Sequence, residues 1–163
     1  PRMMEMKTMA LMGGCACGQV RYEIIDEPLF PYACHCTDCQ RTTGSAFAVH
    51  STVAKDDFKI EGETQAATLP TGSGAGYDLH FCTKCGTYVW CIYHIRSDPV
   101  LIVRTGTLDD AAKHRPQAHI FTRSMQPWFT LPEDVPSFPE AFDRSVVWPA
   151  KSLKKLNDLG GSN

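Results

Sequence analysis

The sequence predicts a mainly β protein built as one domain. Three observations point there. Short runs alternate polar and apolar residues, glycine- and proline-bearing turns separate them, and prolines recur from Gln126 to Trp148, which rules out long regular structure there. At 163 residues one domain is the default, and the chain is long enough to bury a core. Hydrophobic content of 43% and charged content of 21% are ordinary for a soluble globule.

Residues 1–12 are expected to be a disordered leader. They carry Arg2, Lys7 and several methionines but no clean apolar segment, so a signal peptide is not expected. Gln19 to Ile24 alternates and reads as a half-buried strand, ended by Pro28 and Pro31. In Cys34-His35-Cys36-Thr37-Asp38-Cys39 an extended strand would point Cys34 and Cys36 the same way, and a turn through Thr37 and Asp38 would add Cys39. Gln40 to Ser45 is polar, contains Gly44 and reads as a loop. Phe47 to Val53 and Phe58 to Glu61 read as strands, and Glu61-Gly62-Glu63 as a hairpin turn into a strand from Thr64 to Leu69. Thr71 to Gly76 holds three glycines and reads as a plain loop; a dinucleotide site is not expected, since a strand rather than a helix follows. Tyr77 to Phe81, Tyr88 to Tyr93 and Val100 to Arg104 are further strands, Leu108 to Lys113 one short helix, and His119 to Phe121 a short strand. Residues 13–150 are thus expected to form a single domain, with 151–163 a weakly helical tail that frays.

The eight cysteines divide by spacing. Cys15 and Cys17 form one close pair, and Cys82 and Cys85 another, in a turn that Gly86 can close. Together they supply four thiolates for a closed structural zinc site, whose binding energy becomes folding energy. Cys34, Cys36 and Cys39 form a set of three with no close fourth, the pattern of an open zinc site. Cys91 lies in Val89-Trp90-Cys91-Ile92 and reads as a buried core thiol; its lesser alternative is to close the open site.

These residues resemble a known family. Gly14-Cys15-Ala16-Cys17-Gly18, Cys34-His35-Cys36-Thr37-Asp38-Cys39 with Gly44, Phe81-Cys82-Thr83-Lys84-Cys85-Gly86-Thr87 and Gly106-Thr107-Leu108-Asp109-Asp110 look like the glutathione-dependent formaldehyde-activating enzymes, a family that also includes centromere protein V. Pro116, His119, Ile120 and Trp128 agree with it. The resemblance implies a β-tent of stacked antiparallel sheets with zinc-binding turns. It implies two zinc ions per chain, one structural and one catalytic, and the open coordination of the second would make it the exchangeable one. It further implies carbon–sulfur lyase chemistry on a thiol–aldehyde adduct such as S-hydroxymethylglutathione.

Candidate substrate contacts follow the central cluster. Arg41 could pair with a substrate carboxylate, although a solvated surface arginine is the plainer reading. Ser45 could hydrogen-bond substrate or simply serve a turn. His35 lies between two ligands and is expected to point away from the metal. His119 is expected to be a hydrogen-bonded structural histidine.

The net charge of -2 argues against a nucleic-acid partner, and no apolar run is long enough for a membrane span. A small-molecule thiol or its aldehyde adduct is the expected partner, and a cytoplasmic location the expected setting, where clustered cysteines bind metal rather than pair as disulfides. Edge strands of such a fold can pair two copies, which leaves a homodimer open. The alternatives are a zinc-stabilised binding module without catalysis and a structural or redox thiol protein.

Overall fold

The structure, a computed structural model, describes residues 9–95, 97 and 99–160. It is mainly β, as the alternation predicts. β1 (Leu11–Gly14), β2 (Arg21–Ile24) and β5 (Phe58–Glu61) form a three-stranded antiparallel sheet in the order β1-β2-β5. A seven-stranded sheet holds β3 (Phe30–Cys34), β4 (Ala48–Ala54), β6 (Thr64–Leu69), β7 (Tyr77–Cys82), β8 (Tyr88–Tyr93), β9 (Val100–Arg104) and β10 (His119–Ile120), in the order β10-β3-β4-β9-β8-β7-β6. Its pairs are antiparallel except β10 with β3, which is parallel.

Alternation decides what each face buries. Val20, Tyr22 and Ile24 of the small sheet's side pack against Val53, Trp90, Leu101 and Val103 of the large one, forming the main core. β9 is buried along its whole length, because residues alternating with Leu101 and Val103 are covered on the opposite face. On that face Tyr77, Leu79, Cys91 and Ile102 make a second cluster.

Several expectations are corrected. Leu11 and Met12 belong to β1, opposite Ile24 and Glu23, so strand pairing takes them out of the expected leader. Residues 1–8 of that leader lie outside the described residues, as do 161–163 of the expected tail. The tail's remainder is not frayed. Ala150–Asp158 form helix α3, whose Leu156 is fully buried in a cluster with Leu29, Phe30 and Trp148. Lys155 on the same helix bridges Asp26 and Asp57.

The expected hairpin at Glu61-Gly62-Glu63 is a crossing between sheets, since β5 pairs with β2 and β6 with β7. Gly62 has φ 96 and lies against the Gln19 carbonyl, a place no Cβ can occupy. Thr71 to Gly76 instead closes the β6–β7 hairpin. The expected loop at Gln40 to Ser45 lies mostly in helix α1 (Thr37–Thr43), which ends at Gly44 with φ 65. Leu108 to Lys113 is helical only as a single 3₁₀ turn at Ala111–Lys113. Within the proline-rich stretch the one helix described is the four-residue α2 (Arg144–Val147).

Candidate functional site

The CxC and CxxC pairs meet. One sulfur from each of Cys15, Cys17, Cys82 and Cys85 lies within 4.8 Å of every other. Cys15 and Cys17 follow β1, and Cys82 ends β7. The turns around them are held locally: Val20 N–H donates to Cys15 Sγ at 3.2 Å, and Gly86 N–H to the Cys82 carbonyl at 2.9 Å. Ala16 N–H donates to Thr87 Oγ1 at 3.1 Å, joining the two turns directly. The Thr87 hydroxyl at 3.1 Å also draws Cys85 down to about 5. The four compact sulfurs could hold a metal ion, and the donor set is compatible with zinc. Cys15 and Cys82 are buried, while Cys17 and Cys85 are exposed.

The second cluster is built differently from the strand-and-turn expectation. Cys34 ends β3, Cys36 caps α1 and Cys39 lies in its first turn. Cys36 does what a serine or threonine usually does there. Its Sγ accepts from the Cys39 N–H at 3.3 Å, which ties helix entry to the cluster. The three sulfurs lie within 4.8 Å of one another, and no fourth His, Cys, Asp or Glu among the described residues joins that set. Cys34 and Cys39 are buried, and Cys36 is partly exposed. The trio therefore could hold an ion and leave one side free. Hydrogen bonds, from Cys34 first and then Cys39, pull Cys36 down to about 3, while the same contact with Cys36 pushes Cys34 well up. Cys91 is fully buried among Tyr77, Leu79 and Ile102 and belongs to neither cluster.

The surroundings of the trio are apolar and aromatic, with one buried histidine. Ile120, Phe121, Phe138 and Phe142 form an apolar wall. Phe121 is the single described non-glycine residue with positive φ, at 55, a costly backbone state for a bulky side chain. Tyr32, on the Cys34 face of β3, meets Phe142 edge-on at 5.8 Å and stacks on His50 at 5.1 Å between ring centroids. His50 Nε2 lies 3.4 Å from Cys39 Sγ and 3.4 Å from Arg104 Nη1. Burial pushes His50 well below the ordinary histidine range, with Arg104 adding to it.

His35 does point away from the trio. It is fully buried, and its Nε2 shares a 2.8 Å hydrogen bond with His119 Nδ1 beside Phe47 and Phe129. Arg41 and Ser45 are exposed; the hydrogen bond found for Ser45 is from its own N–H to Thr43 Oγ1 at 3.3 Å. Gln40 was not singled out in sequence, yet its Nε2 donates to the His35 and Ser124 carbonyls and its Oε1 accepts from Gln126, fastening α1 to the segment after β10. Neither His50 nor Arg104 carried a sequence signal, since each sits in an ordinary strand pattern. A separate cleft of about 600 Å³, lined by Glu27, Pro31, Arg115, Asp134 and Lys151 among others, lies toward the other end of β3 and includes no cysteine.

Fold and site together define a mainly β protein with two cysteine clusters, one of four sulfurs and one of three, each able to hold a metal ion. A family model described as glutathione-dependent formaldehyde-activating enzyme matches residues 10–124, and the chain belongs to that family. A Halomonas elongata protein named for the same activity is 26% identical over 87 residues. That match covers 50% of this chain and 55% of the relative, so the chain spans about half the length of the curated relative it matches. A crystal structure of a Rhodobacter sphaeroides protein is similar with a TM-score of 0.47 at 23% identity, covering 77% of this chain and 98% of that one. Among the described residues no helix is long and apolar enough to cross a membrane.

Proposed function

We propose that the chain is a zinc-dependent carbon–sulfur lyase acting on a thiol–aldehyde adduct, with S-hydroxymethylglutathione as the type substrate. The observation that carries this reading is the open trio: three converging sulfurs, a partly exposed Cys36 and, among the described residues, no fourth ligand atom within 4.8 Å of all three. Cys34, Cys36 and Cys39 would hold the catalytic ion, and Cys15, Cys17, Cys82 and Cys85 the structural one. A zinc ion in the open set supplies a soft cationic centre that favours the thiolate form of a substrate thiol.

The chain's own residues shape the rest. Ile120, Phe121, Phe138 and Phe142 pack against the trio, and apolar surroundings of this kind strengthen electrostatic interactions within a site. α1, fixed by Gln40, holds Cys36 and Cys39 at one spacing. In the synthetic direction the thiolate sulfur forms a bond to the aldehyde carbon, and the carbonyl oxygen takes the electron pair and a proton. In the lyase direction the C–S bond breaks, its pair returns to sulfur, and the hydroxyl proton leaves as the C=O bond re-forms. Arg41 and Ser45, both exposed at the C-terminal end of α1 and just after it, are proposed substrate contacts.

Cys36→Ser tests the reading. The expected variant stays folded, carries one zinc fewer and loses formaldehyde–glutathione adduct turnover, followed by NMR of the hydroxymethyl signal. Full turnover with one zinc fewer would overturn it.

A further inference from the structure

Arg104 is 7% exposed, at the end of β9. Its directly opposite neighbour across the β4–β9 ladder is His50, so the two side chains share one face of the sheet. The guanidinium makes two contacts toward the trio. Nη1 lies 3.4 Å from His50 Nε2, which itself lies 3.4 Å from Cys39 Sγ. Nη2 donates to Thr42 Oγ1 at 3.1 Å, one turn after Cys39 on the same helix. Behind it, the Tyr88 ring centroid is 4.1 Å from Arg104 Cζ. Its Nε has no hydrogen-bond partner, and no described carboxylate pairs with it.

A buried cation without a carboxylate is costly to fold around unless another negative charge answers it. The trio has the complementary problem: three thiolates around a divalent ion leave one net negative charge, in a cluster whose Cys34 and Cys39 are buried. Of the trio, Cys39 is the sulfur nearest this cation, with His50 Nε2 in contact with both groups.

We infer that Arg104 is the charge partner of the three-cysteine centre, a positioning residue that braces α1 through Thr42, packs against His50 beside Cys39, and offsets the surplus negative charge of the loaded site. It is not a metal ligand, and it need not touch substrate. The inference rests on the trio holding a metal ion, as proposed above, but not on the lyase chemistry, so a binding measurement separates the two.

The test is zinc affinity of the intact chain, in competition with a chromophoric chelator that resolves the weaker from the tighter site. Arg104→Met is expected to weaken the weaker site by about 10- to 100-fold, the range seen when groups orienting metal ligands are removed. The tighter four-cysteine site is expected to be unchanged. Arg104→Gln keeps a donor for Thr42 without the charge and is expected to match the methionine variant; it carries the test if that variant does not fold. Arg104→Lys is expected to restore most of the loss, which a purely structural role for the guanidinium would not produce. Wild-type affinity in the uncharged variants would overturn the inference, as would a lysine variant as weak as methionine. A wild-type chain that binds a single zinc would overturn it together with the open-site reading, whereas a normal charge effect in a chain with no adduct turnover would uphold it while sinking the lyase proposal.

Discussion

Cys36 shows how much one side chain carries. It caps α1, accepts from the Cys39 N–H, and presents the one partly exposed sulfur of the trio. Cys91 is its contrast: fully buried, bonded into an apolar cluster, and outside both sulfur sets. Cys91→Ala is therefore expected to leave zinc content unchanged while costing about 1 kcal/mol of stability, the usual scale for a single buried substitution, measured by denaturant unfolding with metal analysis alongside. A drop in zinc content would place Cys91 in a site. Gly62 is a second residue whose role is local. With φ 96 and the Gln19 carbonyl against it, Gly62→Ala is expected to cost roughly 1–3 kcal/mol in the same experiment. Residue roles of this kind were legible wherever spacing carried them, as with the seven clustered cysteines. His50 and Arg104 were not, because the ladder that places them side by side joins strands far apart in sequence.

At the scale of elements, α1 and α3 are where local reading fell short. The segment Thr37–Thr43 is polar and reads as a loop; what makes it a helix is the Cys36 cap, the Gly44 stop and the Gln40 clamps. α3 shows weak helical spacing in sequence, and its stability comes from docking, with Leu156 fully buried against the Phe30 and Trp148 cluster. Leu156→Ala is expected to destabilise the protein by about 2–5 kcal/mol, read from denaturant midpoints, because a buried leucine loses transfer energy and leaves a cavity. The Lys155 ion pairs with Asp26 and Asp57 hold the same helix. Hydrogen bonding to Lys155 holds Asp26 below the ordinary carboxylate range. A folded-state value below the unfolded one adds stability above the unfolded value and loses it as pH falls through the folded one. The stability difference between wild type and Asp26→Asn is thus expected to be present above about pH 4 and to vanish on further acidification. A difference that grows toward acid pH would contradict this pairing.

For the whole molecule, the four-cysteine cluster would be the long-range staple once it holds the structural ion proposed above. It joins the turn after β1, in the small sheet, to the end of β7 in the large one, alongside the core shared by the two sheets. Mild chelation is expected to remove the ion of the open trio first and leave the far-ultraviolet circular dichroism spectrum intact. Removing the second ion, or substituting Cys82→Ser, is expected to lower the melting temperature sharply, since metal-binding energy there is folding energy. Loss of both ions without a change in melting temperature would show that the core alone holds the sheets together.

The sequence by itself determined most of the strands, though not β1, together with the division of the cysteines into four, three and one, and the family, because these depend on residue type and short spacing. Tertiary structure alone decided which strands share a sheet, that Gly62 crosses between sheets instead of closing a hairpin, that the last helix docks, and that a buried arginine stands behind the trio. Those depend on contacts between segments distant in the chain, where backbone pairing and burial choose the neighbours and no local pattern records the choice.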